Sequence, residues 1–102
     1  MAYQVVWSPE AIEDVESIAE YIEKDSEYYA YSVVTKLLDV ARYVEDFPLT
    51  GRIVPEFGKE SIREKFVYSY RFIYKIEGQK VIILAVIHGK RVLENILDSI
   101  HD

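Results

Sequence analysis

Apolar residues alternate from Tyr3 to Trp7, with Tyr3, Val5 and Trp7 on one side, and this period of two predicts a first strand. Ser8-Pro9-Glu10 then has the chemistry of a helix start. The serine hydroxyl can accept a backbone N–H, proline suits the first helical position, and glutamate favours the positive end of the helix. Ile12, Val15, Ile18, Ala19 and Ile22 recur at helical spacing, while Glu13, Asp14, Glu16, Glu20 and Glu23 fill much of the remaining surface. Asp25-Ser26 interrupts the pattern and can cap a second helix, whose stripe is Ala30, Val33, Val34, Leu37, Ala41 and Val44. That helix has to end near Phe47, because Pro48 disfavours helical geometry in the residue before it. So short a connection predicts an antiparallel helix hairpin.

Beyond a loop from Pro48 to Gly58 the period returns to two. Ile62–Val67, Tyr70–Ile76 and Val81–Ile87 read as three strands rich in β-branched and aromatic residues. Gly78-Gln79 joins the last two as a two-residue hairpin loop, with glycine at the first position of a type II′ turn. The third of these strands is apolar on both faces, which predicts an interior place in the sheet. Val92–Ile100 reads as a short terminal helix. The expected fold is α+β: a strand, an antiparallel helix hairpin and a three-stranded antiparallel meander, in two layers over residues 1–102 as a single domain. One sheet face is then left uncovered, and function is to be sought there.

Composition narrows the classes. The chain has 102 residues, half of them hydrophobic, enough for one packed core. Without cysteine there can be no disulfide, thiolate metal site or cysteine nucleophile. The amino terminus has no leader-like pattern and no apolar run could span a bilayer, so a soluble cytoplasmic protein is expected. The net charge of −6 hides an asymmetry. Residues 1–51 carry three Lys/Arg against eleven Asp/Glu, residues 52–91 nine against four, and residues 92–102 none against three. The halves therefore differ by sign, −8 against +5, and a basic surface could still attract an anionic partner.

Candidate chemistry lies in the basic half. Counting outward from the Gly78-Gln79 turn pairs Glu77 with Lys80, Ile73 with Leu84, Arg71 with Val86 and Ser69 with His88. Opposed residues share a face, so Arg71, Lys75 and His88 are expected together, with Arg91 just past the strand end. Arg63 and Lys65 alternate on the preceding strand, and whether they share that face depends on the register of the turn at Tyr68-Ser69, which the sequence leaves open. Such a cluster could hold a phosphodiester, with arginine bidentate to phosphate and histidine moving a proton. Alternatively, Glu56 or Glu64 simply pairs with these cations. Tyr28, Tyr29 and Tyr31 read as packing or partner-facing residues. No phosphate loop, metal-ligand spacing or nucleophile elbow is present, and neither a cofactor nor a small-molecule ligand is expected.

These segments, in this order, resemble the RelE/ParE toxins of type II toxin–antitoxin systems. Val6-Trp7-Ser8-Pro9-Glu10-Ala11 followed by Asp14, Ile18 and Tyr21-Ile22 is similar to the opening of ParE-type toxins. Phe47-Pro48, Gly51-Arg52 and Val54-Pro55-Glu56 resemble their central loop. Arg63-Glu64 with Tyr70-Arg71-Phe72-Ile73-Tyr74 resembles their strand pair, and His88-Gly89-Lys90-Arg91 their closing motif. The resemblance implies a cognate antitoxin as partner and one of two targets. In the RelE-like branch, ribosome-dependent cleavage of mRNA would fall to Arg71, Arg91, Arg63, Lys65 and His88. The late tyrosine common in that branch is missing. In the ParE-like branch, which the opening and closing motifs resemble more, the target is DNA gyrase, without agreed catalytic residues. A non-toxic module that binds its antitoxin as a co-repressor is a third expectation.

Overall fold

The computed structural model describes residues 3–89. β1 (Gln4–Trp7) leads into α1 (Pro9–Glu23) and α2 (Glu27–Asp46), and a single 3-10 turn at Pro48–Thr50 precedes β2 (Arg52–Ile53). β3 (Ile62–Val67), β4 (Tyr70–Glu77) and β5 (Lys80–His88) complete a five-stranded sheet in the order β1-β5-β4-β3-β2. Among the described residues β1 runs parallel to its neighbour β5, and the other pairings are antiparallel. The expected α+β architecture is therefore present, and β5 is interior as its two apolar faces require. The two-residue β2 was hidden inside the predicted loop. The segment Val92–Ile100, expected as a helix, lies outside the described residues.

Local chemistry sets the helix ends. Ser8 caps α1 by accepting the Ala11 N–H at 3.0 Å, and Ser26 caps α2 by accepting the Tyr29 N–H at 3.0 Å. Each such cap contributes about 1 kcal/mol. Ala30, Val33, Leu37, Ala41 and Val44 of α2 are buried as their spacing predicts, whereas Val34 is half-buried. On α1 the buried stripe is rotated by one residue at its start, since Ala11 is buried and Ile12 exposed. These helices cover one sheet face, packing against Phe72, Tyr74, Val81, Ile83 and Val86, with Trp7 edge-on to Phe72 at 5.9 Å.

The β4–β5 hairpin departs from the simple count. Pairing holds from Glu77↔Lys80 to Tyr74↔Ile83, with Gly78 at φ 59° in the turn, and then shifts to Ile73↔Ala85. Leu84 is thus the extra residue of a β-bulge. The bulge sits where β1 ends and α1 begins. There Ser8 N–H donates to the Ile83 carbonyl, Ser8 Oγ donates to the Leu84 carbonyl at 3.2 Å, and Asp14 accepts the Val86 N–H at 2.9 Å. Side-chain and loop contacts take over the edge of β5 that β1 no longer pairs.

The sheet face away from the helices is not bare, contrary to expectation. Val54, Ile62, Ile73, Ala85 and Ile87 form a second buried cluster, with Phe57 and Leu84 packed against it. The loop after β2 turns back on itself, Phe57 and Gly58 both donating to the Val54 carbonyl, and so lays Val54 and Phe57 over the sheet.

Candidate functional site

Pairing on β4 settles which cations share a surface. Arg71 faces Ile87 on β5 and Phe66 on β3, so it lies on the loop-covered face with Glu64 and Ile73. Its side chain is 6% exposed. Nε donates to Glu64 Oε1 at 2.6 Å, and the two terminal nitrogens donate in parallel to the Glu56 carboxylate at 2.8 and 2.9 Å. The second Glu64 oxygen accepts from Arg52 Nε at 2.7 Å, and Arg52 also lies over the Phe66 ring at 5.0 Å. The result is an alternating chain, Arg52–Glu64–Arg71–Glu56, whose formal charges cancel. Hydrogen bonding to Glu56 raises the Arg71 pKa against the opposing effect of burial, and that same bond holds the Glu56 carboxyl below its ordinary value. Such fork-to-fork pairing is the geometry by which arginine would otherwise hold a phosphate.

The other expected site residues lie elsewhere. Arg63 and Lys65 pair with Tyr74 and Phe72, which places them on the helix-side face. Arg63 donates to the carbonyls of Glu60, Leu49 and Gly51 and ties the 3-10 turn to the sheet edge. Lys65 holds its ammonium 4.9 Å from the Tyr43 ring of α2. The bulge moves His88 opposite Tyr70 instead of Ser69, so it shares the helix side, edge-on to the Tyr70 ring at 6.0 Å. The expectation that Arg71, Lys75 and His88 share a face is therefore corrected. Lys75 remains on the Arg71 side, 3.3 Å from Glu77. Arg91 lies outside the described residues.

A different concentration of side chains occupies the end of the helix hairpin. Tyr21, Ile22, Asp25 and Tyr29 face Tyr68, Ser69, Tyr70 and His88 across a cleft of about 340 Å³. Burial, and then the nearby Tyr29 and Tyr21, push the Tyr70 phenol above its ordinary range. Tyr68 heads the β3–β4 turn with φ 55° and sets its ring 6.3 Å from that of Tyr29. The sequence marks Tyr29 as packing or partner-facing but does not single out Tyr68. The signal existed, because Val67 and Tyr70 are separated by two residues, like Glu77 and Lys80.

Among the described residues, no cluster of three His, Cys, Asp or Glu could hold a metal ion, and no helix is long and apolar enough to cross a membrane. The family model for the ParE toxin of type II toxin–antitoxin systems, parDE, matches residues 5–93. No curated protein matches the chain. Several solved structures share the fold. A chain of the chromosomal ParDE toxin–antitoxin system from P. aeruginosa aligns with a TM-score of 0.70 at 14% identity, covering 85% of this chain and 96% of that one. One from the RelBE2 toxin–antitoxin complex of Mycobacterium tuberculosis gives 0.62 at 19%, covering 86% and 99%. A mutant of the E. coli toxin RelE in the free state gives 0.68 at 16%, covering 96% and 93%.

Proposed function

The chain belongs to the ParE toxin family of type II toxin–antitoxin systems, and from that premise we propose that it inhibits DNA gyrase in the cytoplasm and is neutralised by a cognate antitoxin. The observation that carries the choice of gyrase over mRNA is the state of Arg71. A ribonuclease reading needs Arg71 to meet the phosphate, in concert with Arg63, Lys65, His88 and Arg91. Its guanidinium is instead bonded to two carboxylates, and Arg63, Lys65 and His88 lie across the sheet from it. Freeing that group would leave buried Glu64 short of a partner, a cost of several kcal/mol. The antitoxin reading is supported by the family, by the ParDE toxin–antitoxin system and by the RelBE2 toxin–antitoxin complex that share the fold.

The test is induction in a host that lacks the antitoxin. Growth arrest with a DNA-damage response and continuing protein synthesis is the expected pattern, reversed when the product of the neighbouring gene is co-expressed. Arrest of protein synthesis first, without DNA damage, would turn the reading to the ribosome. Harmless expression would leave the co-repressor role.

A further inference from the structure

The cleft at the end of the helix hairpin takes no part in the ion-pair chain, and one of its residues is costly to keep where it stands. Tyr68 occupies the first position of a two-residue hairpin at φ 55°, in the left-handed region. The second such hairpin of this sheet puts Gly78 in the same place at φ 59°. Glycine adopts that conformation without steric penalty, whereas an aromatic side chain is strained there. What tyrosine adds is a ring, 58% exposed, beside Tyr29 and across the cleft from Tyr21, which is 72% exposed. Exposure of these rings contributes little to the core, so their value lies in what they can touch.

Electrostatics select the occupant. Asp25 and His88 line the cleft, and Glu23 and Glu27 flank Asp25 in the chain against Lys24. α1 ends here with no basic residue in its last turn, so the negative end of its dipole is not offset from within that turn. The carboxylates of Asp25, Glu23 and Glu27 favour a cation over a phosphate here. A guanidinium or ammonium is drawn to the carboxylate and to the faces of the tyrosine rings. We propose that this cleft is the docking site for a segment of the cognate antitoxin that presents an arginine or lysine side chain, with Tyr68 as its aromatic anchor and Asp25 as its counter-charge. In naming the antitoxin as carrier of that segment the proposal rests on the toxin reading; the cleft's preference for a basic side chain does not.

The probe is a short synthetic peptide alternating alanine and arginine, with a glutamate counterpart, titrated against the full chain by fluorescence anisotropy. The arginine peptide should bind and the glutamate peptide should not. Tyr68→Gly leaves net charge unchanged, so any loss reports the ring and not bulk attraction to an acidic protein. It should weaken binding about tenfold while the melting temperature stays the same or rises. Asp25→Lys, at an exposed position, should weaken it at least as much. Binding by Tyr68→Gly equal to the unmodified chain would overturn the proposal. So would Tyr68-dependent binding of an oligothymidylate, which would make the cleft a base-stacking site. Tyr68-dependent self-association in place of peptide binding would make the occupant a second copy and overturn it too. If the neighbouring gene's product fails to bind the unmodified chain, only the antitoxin reading falls.

Discussion

Arg71 and Glu56 meet through two parallel hydrogen bonds of 2.8 and 2.9 Å, one residue inside a strand and the other on a loop fifteen positions earlier. This pair fastens the loop over the second apolar cluster and makes that fastening sensitive to acid. The Glu56 pKa is lowered by Arg71 from the ordinary 4.5, so the pair stabilises the fold fully above that value. The contribution is lost as pH falls below 4.5 through the lowered value. Chemical denaturation across this range should show stability falling with acid in the unmodified chain, and a shallower fall in Glu56→Gln. Parallel profiles would mean that the pair is not linked to folding.

Arg71→Lys keeps the charge but cannot span two carboxylates with a planar fork. Because Glu64 is buried between Arg71 and Arg52, a damaged partner leaves an undercompensated carboxylate in the interior. Complete removal, as in Arg71→Met, should cost about 3–5 kcal/mol, with the lysine variant in between. Thermal melts check this. A variant that melts like the unmodified chain but loses toxicity would instead place Arg71 in direct contact with a target.

Tyr74 joins the 3-10 turn to the sheet: its hydroxyl donates to the Pro48 carbonyl at 2.6 Å and accepts the Gly51 N–H at 3.0 Å. Gly51 can make that approach because it lacks a side chain; a Cβ there would collide with the Tyr74 hydroxyl and lie 2.8 Å from the Glu64 carbonyl. Tyr74→Phe leaves both buried backbone groups unpaired and should cost about 1–3 kcal/mol. Gly51→Ala should cost a similar amount through overpacking, about 1–3 kcal/mol. Combining the two should cost less than their sum, since both disrupt one contact. Strict additivity in urea denaturation would contradict the shared contact.

Much of this was legible locally. The stripe from Ala30 to Val44, the caps at Ser8 and Ser26, and the turn at Gly78 are each set within a few residues, and the sequence pattern predicts them. The bulge at Leu84 was not legible, because its edge contacts come from Ser8 and Asp14, more than seventy positions away. That single extra residue is what carries His88 to the other face. Glu56 and Glu64 were visible as possible partners for the cations, but their choice of Arg71 depends on a loop folding over the sheet. The Tyr68 turn has the length of the Gly78 turn without its glycine, so the usual residue signal was missing.

We propose above that the chain is a gyrase-directed toxin in which Arg71 serves the fold. The most direct test of that proposal is a cleavage assay with purified chain, gyrase, ATP and supercoiled plasmid, set beside translating ribosomes with intact message. Linear DNA covalently linked to protein is expected in the first reaction and uncut message in the second. Message cut at the ribosome, without linked DNA, would contradict it.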